Sequence, residues 1–493
     1  MTSFLFRPPG RWLCAILLIA SIMAAGSASA GEDVRIAKAV SVISGAAELG
    51  GSGHVEAGSG VDLLLGRSSA DPLGRRNAGA VFVAAASRGS VSLWKNRFHG
   101  FRIAGAAPAD IAAESCVVGD LNGDGLDKVA VGAPGADTRN GTDSGAAYVI
   151  YGAPDPTDVD LETFSGEEQS DAGFRIDGGS ASGGAGSAVA CVGDVNGDDL
   201  GDVAVASPGA GATYVVFGKA ATGNIDLMLF DLGAQGDAGF RIETPVPRPN
   251  GVYAVGGGGD TNGDGLSDVL IGLVRHRTET TGLVYVVFGK SDPVPVDTTS
   301  AETSAGHTWG YRILGQARGW LTGESVADAG DVNGDGLDDV LVGASRRTVY
   351  RAGGRAYVVF GSEERDEVIL GELGTRGFAM IAGPERDAAG AAVAAAGDID
   401  GDGLADLLVG APLASVGGRT GAGLVYVVKG AASSDTVRMR ELGRRGYRIL
   451  GRAEGANIGG DVGAYRTGSE ELRFLVSSYP RRKTYVVPAR TSF

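Results

Sequence analysis

Three cysteines, four histidines, four tryptophans and five methionines among 493 residues leave little material for several kinds of chemistry. The histidines, His54, His99, His276 and His307, stand far apart with neither metal-ligand nor triad spacing, and serines such as Ser477 and Ser478 have no nucleophile-elbow context. No nucleophile and base pair is legible, so the chain is expected to be non-catalytic. Long apolar runs are missing except at the start, where Arg7 and Arg11 flank "LCAILLIASIMAA" before Ala28-Ser29-Ala30. That run falls short of the ~20 residues a bilayer demands. It reads as a secretory signal over residues 1–30, with no transmembrane segment after it and an extracellular or cell-surface location. Basic residues are outnumbered 43 to 59, giving a net charge of −16, and two arginines fewer after loss of the leader makes −18. Such a chain is not expected to bind nucleic acid.

Beyond the leader only Cys116 and Cys191 remain. They lie four and three residues before Asp120 and Asp194 respectively, so in extended strands they point to opposite faces. This favours two separate buried thiols over a disulfide.

Glycine is abundant, with 84 residues, whereas aromatics make up 6%. Together these suit many short strands joined by tight turns. A self-similar unit supplies the organisation: "DLNGDGLDKVAVGAP" from Asp120, "DVNGDDLGDVAVASP" from Asp194, "DTNGDGLSDVLIGL" from Asp260, "DVNGDGLDDVLVGA" from Asp331 and "DIDGDGLADLLVGAP" from Asp398, at intervals of 66 to 74 residues. Each is followed by a strand such as "GAAYVIYG" or "GRAYVVFG" and preceded by an aromatic-led triplet, "FRI" at Phe101, Phe174 and Phe240, "YRI" at Tyr311 and "FAMI" at Phe378. Two further units have lost their acids, one around "VRI" at Val34, His54 and Asp62, the other around "YRI" at Tyr447 and "KTYVVPA".

Seven units of four antiparallel strands, without helical periodicity, make an all-β, seven-bladed β-propeller: one such sheet cannot bury both faces, and seven stacked radially can. The last unit stops after its third strand. Val34 to Ala37 is therefore expected to complete it, latching the ring through the N-terminus.

Within each acidic loop, oxygen side chains fall at positions 1, 3, 5 and 9, and position 6 is usually glycine. Ca²⁺ takes six or seven oxygens at about 2.3 to 2.6 Å, which alternate residues of a tight loop can supply, with a backbone carbonyl at position 7. The candidate ligand sets are Asp120, Asn122, Asp124 and Leu126; Asp194, Asn196, Asp198, Leu200 and Asp202; Asp260, Asn262, Asp264, Leu266 and Asp268; Asp331, Asn333, Asp335, Leu337 and Asp339; and Asp398, Asp400, Asp402, Leu404 and Asp406. The first set has Lys128 at position 9, a cation that would repel a metal, so this site is expected to be empty or weakened. The second has Asp199 in place of the position-6 glycine. An EF-hand is excluded because position 12 of the fourth copy is Val342, inside a strand-like run. Tandem acidic repeats of the thrombospondin type would follow one another far more closely.

These motifs resemble the FG-GAP repeats of the integrin α-subunit propeller over essentially all of residues 31–493. The resemblance implies one propeller domain with Ca²⁺ in the hairpins of blades 2–6, degenerate first and last blades, and partner binding on the opposite face. Integrin α subunits continue into stalk domains and an anchor, whereas this sequence stops at Phe493, so a free-standing, monomeric propeller is expected and heterodimer formation is not carried over.

The loops joining second to third strands are rich in arginine, notably Arg346, Arg347, Arg351 and Arg355. Guanidinium groups bind carboxylates and sulfates through two parallel hydrogen bonds. This face is expected to take a protein or an anionic glycan. The competing reading is a secreted hydrolase or lyase acting on polysaccharide or phosphoester from the same scaffold, since a fold does not fix a function.

Overall fold

The computed structural model describes residues 34–35, 41–44, 62–85, 89–92, 100–153, 157–165, 171–218, 223–231, 236–244, 254–274, 281–299, 308–317, 319–345, 353–383, 386–466, 471–478 and 483–490. The expected secretory signal, all four histidines, and Arg346, Arg347 and Arg351 lie outside these residues.

Seven sheets are present. Blade 2 shows the pattern, with Glu114–Val118, Lys128–Ala133, Ala146–Ile150 and Gly173–Asp177 running antiparallel from the inside outward. A fifth, two-residue strand, Ile225–Asp226, comes from the next blade and pairs parallel with the outermost strand. The same exchange recurs around the ring, with Val296–Asp297, Val368–Ile369 and Val437–Arg438 each lying on the preceding blade. Among the described residues helix is scarce, one α-helical turn at Leu227–Asp231 and a few 3-10 turns.

The N-terminus closes the ring, but in a different register from that expected. The strand completing blade 7 is Ser41–Ser44, antiparallel to Lys483–Pro488. Val34–Arg35 instead pairs parallel with Gly446–Leu450 of blade 6. The "VRI" at Val34 therefore corresponds to the short cross-blade strands and not to the "FRI" triplets. With two apolar residues flanking arginine, the segment reads alike in either role, and only the parallel partner separates them.

The core is a set of slices, each shared by two neighbouring sheets. Cys116, Val118, Ala130 and Val149 of blade 2 pack with Val189, Val203, Val205 and Tyr214 of blade 3, and equivalent layers fill five further boundaries among the described residues. Full burial of such side chains stabilises by roughly 1.5–3 kcal/mol each. The third-strand tyrosines Tyr148, Tyr214, Tyr285, Tyr357 and Tyr426 are all buried. The glycine of "VGA" has a steric cause: a Cβ on Gly132 would lie 2.1 Å from the Gly186 carbonyl oxygen of blade 3, and one on Gly410 2.2 Å from that of Gly459 in blade 7.

Contrary to expectation, Cys116 and Cys191 form a disulfide, with Cα atoms 5.8 Å apart. Their opposite facing is what permits it. Successive sheets stack front to back, so a side chain on the forward face of blade 2 meets one on the rear face of blade 3.

Candidate metal centres in the blade hairpins

The acidic loops join first to second strands, and their first aspartate closes each one. Asp331 accepts from the amides of Gly334 (2.6 Å) and Asp335 (3.2 Å) through Oδ1 and from Gly336 (2.9 Å) through Oδ2. Asp120, Asp194, Asp260 and Asp398 repeat this arrangement. The position-5 carboxylate accepts the position-7 amide, Leu337 to Asp335 at 2.9 Å in blade 5. Position 6 needs positive φ, which Gly336 adopts at 91° and Asp199, less comfortably, at 65°.

The ninth residue anchors the loop to the blade. Asp202, Asp268, Asp339 and Asp406 are fully buried. Asp339 accepts from Val332 in its own loop and from Gly361 beyond the third strand, both at 2.9 Å, and the other three bond equivalently. Burial pushes the carboxyls of Asp202, Asp268 and Asp339 up to about 7 and that of Asp406 up to about 6.

Blade 6 brings the most acid together. One carboxylate oxygen each from Asp398, Asp400 and Asp406 lies within 4.8 Å of the others, the one such group among the described residues. Asp400 Oδ1 is buried without a hydrogen-bond partner. An oxygen-only donor set holding an unsatisfied buried carboxylate oxygen fits a hard cation. In blades 3, 4 and 5 position 3 is asparagine, and Asn196, Asn262 and Asn333 donate through Nδ2 to the position-5 carboxylates of Asp198, Asp264 and Asp335 at 2.8 to 3.1 Å. Those loops juxtapose positions 3 and 5 without gathering three acids.

Two lysines enter the loops. Lys128 bonds Asp120, Asp124 and the Leu126 carbonyl in blade 2, and its ammonium holds the Asp124 carboxyl below its usual range. Lys429, which sequence reasoning missed, pairs with Asp400 and sits 3.4 Å from Asp402. A signal for it existed: Lys429 replaces the aromatic found as Tyr151, Phe217, Phe288 and Phe360 in the other repeats, where that ring packs on the triplet's leading aromatic at 5.8 to 6.3 Å between centroids.

Consecutive loops are also joined. The position-8 amide of each blade donates to the position-1 carbonyl of the blade before: Gly201 to Asp120 (3.2 Å), Ser267 to Asp194 (2.8 Å), Asp338 to Asp260 (3.1 Å) and Ala405 to Asp331 (2.9 Å). Blade 7 has no acidic loop, and there Arg466 Nη2 donates to the Asp398 carbonyl at 3.1 Å. The position-7 leucine covers the preceding loop, so that a Cβ on Gly334 would meet the Leu404 methyl at 2.9 Å.

On the opposite face Arg355 stacks over the Trp320 ring at 4.6 Å and bonds the Gln316 side chain. Tyr357 Oη bonds the same Gln316 oxygen at 2.9 Å. Arg355 is thus held against its own blade boundary. The axial channel, about 380 Å³, is lined by small residues of the inner strands, with Cys191, Ser267 and Asp328 among them.

The repeat model described as "FG-GAP repeat" matches residues 113–150, 325–359 and 389–428, the cores of blades 2, 5 and 6. The chain is a seven-bladed propeller with FG-GAP repeats in three of its blades. This FG-GAP propeller is 31% identical over 178 residues to integrin alpha-V of Gallus gallus, covering 36% of the chain and 15% of that protein. It is 28% identical over 247 residues to integrin alpha pat-2 of Caenorhabditis elegans, covering 48% and 18%. A phosphatidylinositol-glycan-specific phospholipase D of Rattus norvegicus is 28% identical over 206 residues, covering 40% and 22%. The matches thus span less than a quarter of each relative's length. No helix among the described residues is long and apolar enough to cross a membrane.

Proposed function

We propose that this protein is an extracellular, non-catalytic recognition scaffold whose blade hairpins hold Ca²⁺ for stability and whose opposite face, which carries Arg355, takes a protein or an anionic glycan. The observation that carries the calcium reading is the blade 6 cluster, in which three carboxylates converge and one buried oxygen lacks a partner. Blades 3 to 5 contribute similarly folded loops, each with a buried ninth aspartate. Asp398, Asp400, Asp402, Asp406 and the Leu404 carbonyl would hold the ion in blade 6 once the Lys429 ammonium, which unlike that of Lys128 is partly exposed, swings off Asp400 and Asp402. Bound there, it supplies the positive charge that lets neighbouring carboxylates stay ionised. The recognition role is supported by two of these three relatives being integrin α subunits, one of them at 31% identity.

The test measures bound calcium by elemental analysis of the intact protein and partner capture from native cell-surface extracts with and without chelator. Calcium near four equivalents, with capture lost on chelation, supports the reading. Protein free of calcium after dialysis against micromolar Ca²⁺, or capture indifferent to Glu substitution of Arg346, Arg347 and Arg351, removes its two halves separately.

The phospholipase relative favours a second reading, hydrolysis of a phosphodiester. Turnover of a glycosylphosphatidylinositol or polysaccharide panel by the purified chain would establish it.

A further inference from the structure

The blade 2 loop carries the closing bonds of its neighbours without their composition. Asp120 accepts from Gly123 at 2.8 Å and Gly125 at 2.7 Å, matching Asp331 with Gly334 and Gly336 in blade 5. Yet its ninth position is Lys128, whose side chain is wholly buried. The four-carbon stem lets the ammonium reach back from the strand into the loop, where it meets Asp120 Oδ1 at 3.2 Å, the Leu126 carbonyl at 2.5 Å and the Asp124 carboxylate. These are positions 1, 7 and 5, the groups that face the expected cation in the other repeats. An ammonium has three N–H donors, and here three acceptors take them.

We propose that Lys128 is a tethered replacement for the divalent cation: blade 2 keeps its loop closed with the chain's own positive charge and takes no metal. Two carboxylates against one ammonium leave this loop less anionic than the three- and four-carboxylate loops that follow, so a dication gains less by entering, and it would have to displace a buried, fully bonded group. The placement has a mechanical consequence. Gly201 of blade 3 donates to the Asp120 carbonyl, the first link in the belt of loops, and Cys116–Cys191 joins the same two blades. The boundary between blades 2 and 3 therefore stays fastened when cations are withdrawn, while blades 3 to 6 loosen.

The contrast between blades rests on the calcium reading above, but the role of Lys128 does not, and hydrogen exchange on the full chain separates them. In the wild type, residues 119–133 are expected to exchange equally slowly in Ca²⁺ and in chelator, while residues 330–345 exchange at least tenfold faster in chelator. Lys128→Met is expected to lose protection at 119–133 in both conditions. Lys128→Asp should lose it in chelator, regain it in Ca²⁺ and bind one more calcium than wild type. If Lys128→Met does not fold, rescue of Lys128→Asp by calcium decides the matter, and absence of rescue overturns the proposal. Chelator sensitivity at 119–133 in the wild type, or wild-type protection in Lys128→Met, also overturns it. Indifference of 330–345 to chelator removes the calcium reading of the other blades and leaves the Lys128 comparison standing.

Discussion

The amide of Ala405 in blade 6 donates to the carbonyl of Asp331 in blade 5 at 2.9 Å. The same aspartate closes its own loop through three amides. One residue therefore shapes a candidate ion seat and holds the next blade. Asp331→Ala removes the side-chain acceptors, with an expected loss of about 1–3 kcal/mol. Exchange should quicken at residues 398–406 as well as at 331–339. Faster exchange confined to blade 5 would show that the belt does not transmit.

Stability should depend on pH differently with and without calcium. In the metal-free fold the ninth-position carboxyls titrate at about 7 for Asp202, Asp268 and Asp339 and about 6 for Asp406, against roughly 3.9 in an unfolded chain. The fold thus binds their protons more tightly, so their contribution is complete below about pH 4 and is lost as pH rises through 6 to 7. Melting temperature in chelator is expected to fall over that window. Calcium, favouring the ionised form, should flatten or reverse the fall and raise the melting point at pH 7.5 by mass action. Identical pH profiles in the two buffers would count against cation binding at these residues.

The repeat made the blades legible, because a unit whose acidic form recurs five times exposes its recurrent residues: Asp at position 1 for loop closure, glycine at position 4 under the next blade's leucine, and, in four of the five, the glycine found in "VGA" for close approach. What stayed hidden belongs to relations between blades. Arg466 replaces a backbone donor with a side chain from a blade that has no acidic loop. Strand alternation at Cys116 and Cys191 describes single sheets, whereas the disulfide depends on how consecutive sheets face each other. Val34–Arg35 and Ser41–Ser44 are both short, apolar-flanked segments, and the parallel or antiparallel character of a partner has no local signature. Lys128 was the exception: a basic residue in an acidic frame is visible without coordinates.

Asp199 offers a gain of stability. Its φ of 65° occupies the left-handed region where blades 4, 5 and 6 have Gly265, Gly336 and Gly403. Left-handed geometry costs an L-residue roughly 1–2 kcal/mol, part of which glycine returns through its greater freedom when unfolded. Asp199→Gly is therefore expected to stabilise by about 0.5–1 kcal/mol, read as an upward shift in the urea midpoint. The Asp199 amide bond to Asp194, 2.7 Å, should survive the change because it is made by the backbone. A lowered midpoint would mean that the extra carboxylate helps hold the loop.

The disulfide gives the largest expected effect. Cys116 and Cys191 are 75 residues apart in sequence, and in the chain-entropy model closing a loop of that length removes about 4.5 kcal/mol of freedom from the unfolded state. Both sulfurs lie in the apolar layer between blades 2 and 3, so Cys116→Ala with Cys191→Ala leaves a small cavity in addition to the lost crosslink. The double variant should unfold at markedly lower urea than the oxidised wild type, and wild type in reductant should fall between them because the thiols still fill the layer. Calcium dependence of the remaining stability should be unchanged, since neither cysteine contributes to an acidic loop. Alkylation that labels both residues in the native protein without reductant, or equal midpoints for oxidised and reduced forms, would remove the crosslink from the account of how this ring is held.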